Sequence, residues 1–200
     1  MKILMTAFDP FGGESVNASM EVLAALPDRI GDAEIVKRVL PTVFRLAGET
    51  VCAAMDELRP DAVICLGQAG GRDAVTPERV AVNLMDARIP DNAGAQPVDE
   101  PLDPEGPAAY FSALPVRAMA EAMIRAGTPA EISDTAGTFV CNSVMYAVLR
   151  HRDVRGLPVP CGFIHIPFLD ELPHREGAPS LPRETVVRGL IAALGCLENC

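Results

Sequence analysis

Apolar residues along the chain fall into two alternating patterns. Short apolar runs read as buried strands: Lys2 to Phe8, Ala62 to Leu66 and Cys161 to Ile166, with Glu34 to Val39 a further strand candidate and Arg79 to Leu84 and Ala130 to Ser133 shorter ones. Between them, apolar positions recur at helical spacing. Phe44 to Leu58 puts Leu46, Val51, Ala54, Met55 and Leu58 on neighbouring turns, and Pro60 stops it. Further helices are predicted near Met20 to Leu26, from Met119 to Ala126 closed by Gly127, and from about Phe139 to Leu149. In a last helix, Ser180 caps a segment carrying Val186, Val187, Leu190, Ile191 and Leu194 at period 3.6. Strands alternating with helices predict an α/β fold, a three-layer sandwich with a mainly parallel twisted sheet and helices on both faces. No repeat or linker divides the sequence, so residues 1–200 are expected to form a single domain.

One stretch departs from this alternation. From Asp86 to Pro107, five prolines are interleaved with Asp91, Gly94, Asp99, Glu100, Asp103 and Gly106, a composition that forms neither a central strand nor a long helix. A loop of this length in a compact fold points to a lid, a rim or a subunit contact, with a floppy insertion as the alternative.

Charge narrows the function classes. With 17 Lys and Arg against 27 Asp and Glu, the net charge is -10, which disfavours DNA, RNA and anionic lipid as partners. The opening apolar run is halted by Asp9-Pro10-Phe11-Gly12-Gly13 and has no signal-peptide architecture, and no apolar stretch is long enough to span a bilayer. A cytoplasmic protein without membrane contact is expected. The six cysteines include no CxxC pair, so reduced thiols and no metal site are expected, with an intersubunit Cys196–Cys200 bond the one disulfide worth considering. HExxH, GxSxG, P-loop and GxGxxG motifs are all absent.

The chemistry-bearing candidate is the turn Ser133 to Asn142. A strand ends, small residues follow, and a helix opens with Thr138 read as its N-cap, which puts Cys141 in the first turn. Free N–H groups and the helix dipole there favour a thiolate and could receive an oxyanion. The plain alternative is a cysteine that simply fills core space. Of three histidines, His165 is out of character in an apolar strand and is the natural base, whereas His151 and His174 lie in polar surroundings. A carboxylate should orient the imidazole; Glu78 and Asp134 both qualify, and spacing does not separate them. The Gly-rich turns Phe8 to Gly13 and Gly67 to Arg72 also fit a phosphate cradle, so a phosphate-using transferase of nucleoside-phosphorylase type is the alternative enzyme, and a small-ligand binding module the non-enzymatic one.

Six blocks carry a family resemblance: Thr6 to Gly13, Gly67 to Arg72, Glu78 to Asn83, Asp86 to Asn92, Ser133 to Asn142 and His165 to Phe168. Together they resemble pyroglutamyl-peptidase I, or pyrrolidone-carboxylate peptidase, along nearly the whole chain. The resemblance implies a cysteine peptidase that removes N-terminal 5-oxoproline from peptides, commonly a cytoplasmic homotetramer, with no metal or organic cofactor. It implies Cys141 as nucleophile, His165 as base and Glu78 as the acid. It implies a substrate pocket of Phe8, Phe11, Thr42, Ile89, Phe139 and Val140, with Gln68 backbone contacts to the lactam. Arg88 and the Cys141 N–H are candidates for the oxyanion. Ala7, where Gly is usual, and Ser143, where His is frequent, depart from the family pattern.

Overall fold

The computed structural model describes residues 1–199; Cys200, half of the disulfide considered above, lies outside them. In chain order the elements are β1 (Lys2–Phe8), α1 (Ala18–Ala25), β2 (Arg29–Ile30), β3 (Ala33–Leu40), α2 (Leu46–Leu58), β4 (Ala62–Gln68), β5 (Thr76–Pro77), β6 (Val80–Val82), β7 (Ala109–Phe111), α3 (Val116–Arg125), α4 (Val140–Arg155), β8 (Cys161–Ile166), β9 (Phe168–Leu169), β10 (Ser180–Leu181) and α5 (Arg183–Leu194). The central sheet has the order β2-β3-β1-β4-β8-β5. Its four inner strands are parallel, as the apolar runs of β1, β4 and β8 predict, and the two-residue edge strands β2 and β5 are antiparallel. The sheet is therefore mixed.

Strand parity sorts the core into two layers. Ile3, Met5, Ile64, Leu66, Ile164 and Ile166 meet α1, α3 and α5 on one face. Leu4, Phe8, Val63, Cys65, Cys161 and Phe163 meet α2 and α4 on the other. This parity decides the site, because Gly67 and His165 continue the second set.

Three boundaries differ from expectation, each because pairing overrode local pattern. Residues 130–133 form no strand but only isolated bridges, Val75 to Ala130 and Glu78 to Ser133. The run from Arg79 shortens to β6 and pairs with β7 rather than with the central sheet. Ser180 does not cap α5; it lies in β10 beside β9, and the Glu171 carboxylate accepts the Arg183 N–H at 3.1 Å instead.

The proline-rich segment is clamped down. Buried Asp91 accepts hydrogen bonds from the N–H groups of Phe44, Ala93 and Ala95 at 2.8–2.9 Å. Asn92 donates to Asp9 Oδ1 and Pro10 O, and its own N–H reaches Thr42 O at 3.0 Å. The loop thus forms a rim over the carboxyl end of β1, not a floppy insertion.

Candidate active site

In open parallel sheets, loops at the carboxyl ends of the strands meet to form sites. Here β4 ends at Gly67-Gln68, and its ladder partner in β8 is His165, opposite Gly67. Adjacent strands lie about 4.8 Å apart. Above Gly67 sits the sulfur of Cys141: a Cβ on Gly67 would come 2.9 Å from Cys141 Sγ and 2.7 Å from the Phe163 ring. The absent side chain is what lets the thiol drop onto the sheet over the residue paired with His165.

His165 is 4% exposed, with its ring 4.8 Å from that of Phe163. Its Nδ1–H donates to Glu78 Oε1 at 2.7 Å, which leaves Nε2 as the free ring nitrogen. Glu78 reaches this place because β5 pairs antiparallel with β8, Thr76 opposite His165, and the Glu78 N–H then donates to Phe163 O at 2.9 Å. Asp134, the rival carboxylate, instead makes an exposed ion pair with Arg79. His151 bonds Asp56, and His174 stacks on Phe168, so neither belongs to this group.

Arg72 joins the constellation. Its Nη1 donates to Glu78 Oε1 at 2.6 Å and to Thr76 Oγ1, and its Nη2 to Thr135 O at 3.0 Å. The residue closes the Gly67 to Arg72 turn, a block that the sequence marked without giving Arg72 itself a role. That turn is no phosphate cradle: the Phe168 ring fills the space beside Gly70, and the guanidinium is committed to Glu78.

Burial opposes ionisation of Glu78, yet His165, the nearby Ser133 hydroxyl and Arg72 together hold its carboxyl below the usual range. The Ser133 proton itself goes to Thr135 O, and Glu78 Oε2 is buried with no hydrogen-bond partner. For His165, burial outweighs the attraction of Glu78 and moves the imidazole down. The pair rests as carboxylate and neutral imidazole.

Cys141 departs from expectation. Phe139, not Thr138, is the N-cap of α4, because the Thr138 hydroxyl is drawn to Asp86 O at 2.7 Å. Cys141 is then the second helical residue. Burial pushes its thiol up to about 12, the Glu78 charge adds to the rise, and Arg72 and its own N–H work the other way. Dehydration and a facing carboxylate outweigh the helix end, so the resting sulfur is a thiol.

Asn142, fully buried, fixes the helix that carries Cys141. Its Oδ1 accepts from Val82 N, and its Nδ2 donates to Val82 O and Leu84 O, all within 3.0 Å.

The expected pocket residues gather around the same strand ends. Phe11 and Phe139 have ring centroids 6.0 Å apart, and Phe44, which pattern reading placed only in a helix, packs edge-on against Phe139 at 5.3 Å. Ile89 Cδ1 lies 3.5 Å from the position a Gly12 Cβ would take. Phe8 and Val140 are buried beneath, and Thr42 donates to Asp9 through both N–H and hydroxyl. The Gln68 side chain turns away to Ala18 N and Glu14, leaving its backbone at the strand end. Arg88 is exposed beside Ile89. A separate cavity of about 460 Å³ opens between α2 and α4, lined by Arg45, Glu49, Cys52, Tyr146 and Arg150 among others, and contains none of the Cys141 group. Among the described residues, no cluster of His, Cys, Asp or Glu could hold a metal ion, and no helix is long and apolar enough to cross a membrane.

Comparison with known proteins gives one answer. The family model described as pyroglutamyl peptidase matches residues 1–199. The pyrrolidone-carboxylate peptidase of Levilactobacillus brevis is 54% identical over 97% of this chain and 96% of its own length, and that of a Thermoanaerobacter species is 50% identical over the same shares. Pyroglutamyl peptidase I of Bacillus amyloliquefaciens superposes with a TM-score of 0.94 at 45% identity, covering 98% of this chain and 97% of that one. A pyrrolidone carboxyl peptidase variant from Pyrococcus furiosus gives 0.94 at 40% identity, covering 100% and 99%. The chain belongs to the pyroglutamyl peptidase family.

Proposed function

We propose that this protein is a cysteine peptidase that cleaves the amide bond after an N-terminal pyroglutamyl residue, using Cys141, His165 and Glu78. The observation that carries this reading is the thiol of Cys141 seated over Gly67, the ladder partner of a histidine tied to a buried carboxylate. As the sulfur attacks the pyroglutamyl carbonyl, its proton passes to Nε2 of His165. The N–H groups of the first turn of α4, that of Cys141 included, receive the oxyanion, and Arg88 is the side-chain candidate to assist. The imidazolium then protonates the departing amine and leaves a thioester. Water deprotonated by His165 hydrolyses it to free 5-oxoproline and the thiol. Glu78 keeps the proton on Nδ1 and stabilises the transient cation.

The lactam ring is flat and uncharged, so its pocket needs no carboxylate to pair with an amine. Phe8, Phe11, Thr42, Ile89, Phe139 and Val140 would enclose it, and the Gln68 backbone would pair with its amide. The family relationship gives no support to the transferase alternative. The family resemblance also underlies our reading of a cytoplasmic homotetramer; light scattering on the purified protein tests the tetramer, and cell fractionation the location.

The decisive assay compares chromophore release from a pyroglutamyl amide with release from the prolyl amide. Turnover of the first alone is expected. It should vanish in folded Cys141→Ala; equal turnover of both amides, or full activity without the thiol, would overturn the reading.

A further inference from the structure

Burying a carboxylate costs several kcal/mol unless it is paired and hydrogen-bonded. Glu78 is fully buried, and a neutral imidazole cannot balance its charge. Arg72 does, on the same oxygen that accepts the His165 Nδ1–H, at 2.6 Å against 2.7 Å. The fork is itself held at two further points: Thr76, which stands opposite His165 in the β5–β8 ladder, and Thr135 O in the turn that leads to Cys141. The cation therefore ties the β5 segment, which carries the acid and pairs with the strand of the base, to the turn that leads to Cys141.

We propose that Arg72 is a positioning residue of this reaction, whose guanidinium turns Glu78 toward the His165 ring and balances its charge, so that the base waits as neutral imidazole. This rests on the catalytic reading above. The titratable groups acting on His165 are Glu78 and Arg72; those acting on Glu78 are His165 and Arg72, with the Ser133 hydroxyl alongside, and the Glu78 charge in turn reaches Cys141. Without Arg72, an uncompensated anion faces the ring and draws a proton onto it. His165 would then be charged at a pH where it must be neutral to accept the thiol proton. A lysine at this position supplies the charge but not the fork that reaches Thr76 and Thr135 together.

The test is the pH dependence of kcat/KM on a pyroglutamyl amide for wild type, Arg72→Gln and Arg72→Lys, with folding checked by thermal melting and the His165 ring titration followed by NMR. For R72Q the acid limb and the ring titration should both move up by about one pH unit. For R72K the limb should stay at its wild-type position while kcat falls about tenfold. A folded R72Q whose acid limb has not moved overturns the proposal, and so does an R72K with full kcat. If R72Q does not fold, the kcat of R72K alone decides. Activity surviving in Cys141→Ala or His165→Ala would instead reject the catalytic reading itself, an outcome that no Arg72 variant can mimic.

Discussion

At the scale of single residues, what distinguishes this site is the absence of a side chain at 67. The three heavy atoms nearest the missing Cβ belong to Cys141 and Phe163, so a methyl group there must displace either the proposed nucleophile or the ring that supports His165. Gly67→Ala is expected to cut kcat/KM by about a hundredfold or more while the melting temperature falls by only a few degrees, because a displacement of about 1 Å at reacting atoms is enough. Steady-state kinetics beside a thermal melt checks this. The protonation of Cys141 yields a second expectation at this scale. With the thiol pushed up to about 12, its alkylation by iodoacetamide in the free enzyme should keep accelerating from pH 7 to 9 instead of levelling at neutral pH. A plateau already present at pH 7 would show that a thiolate exists before substrate arrives. Residue types were legible in advance here: a first-turn cysteine and a misfit histidine are local features. Their protonation states were not, because these follow from dehydration and from charges that lie far off along the chain.

At the scale of elements, α4 carries Cys141, the proposed nucleophile, and two contacts hold its first turn. Asn142 satisfies one N–H and two carbonyls around β6, and the Thr138 hydroxyl binds Asp86 O. Asn142→Ala orphans those backbone groups and should cost about 3 kcal/mol, read as a shift in the urea midpoint, with a loss of kcat because the helix end is freed to move. The proline-rich rim depends on Asp91 in the same way. Asp91→Ala removes the acceptor of three N–H groups and loosens the segment that presents Ile89, so KM should rise more than kcat falls. Sequence reading offered that segment a lid, rim or subunit-contact role, against a floppy insertion, from its composition and length. It did not foresee that one buried aspartate would hold it, since an aspartate in a proline-rich run looks like any solvated turn residue.

At the scale of the whole molecule, buried titratable groups predict a stability plateau. Glu78 and His165 both titrate lower in the fold than in the unfolded chain, so the unfolded state binds more protons on the acid side and stability is lost as pH falls below about 6.5. Cys52, Cys65, Cys141 and Cys161 are all pushed up to about 12, so the folded state holds more protons on the alkaline side. Stability should then fall above about pH 8.5, by at most about 1.4 kcal/mol per pH unit for each thiol. Melting temperatures across pH 5 to 10 should trace this flat top, and His165→Gln should flatten its acid shoulder.

The sequence alone determined the layered α/β class and the types of the reacting groups. Hydrophobic periodicity is local, and so is the placement of a cysteine in a helix's first turn. Only the tertiary structure decided which atoms meet and in what charge state. Glu78 faces His165 across 87 residues, and Arg72 reaches Thr135 across 63, because β5 turns antiparallel against β8 and brings the Gly-rich turn with it. The contact of Glu78 with His165, the neutral imidazole, the undissociated thiol and the part proposed for Arg72 all follow from that pairing and from the water it excludes.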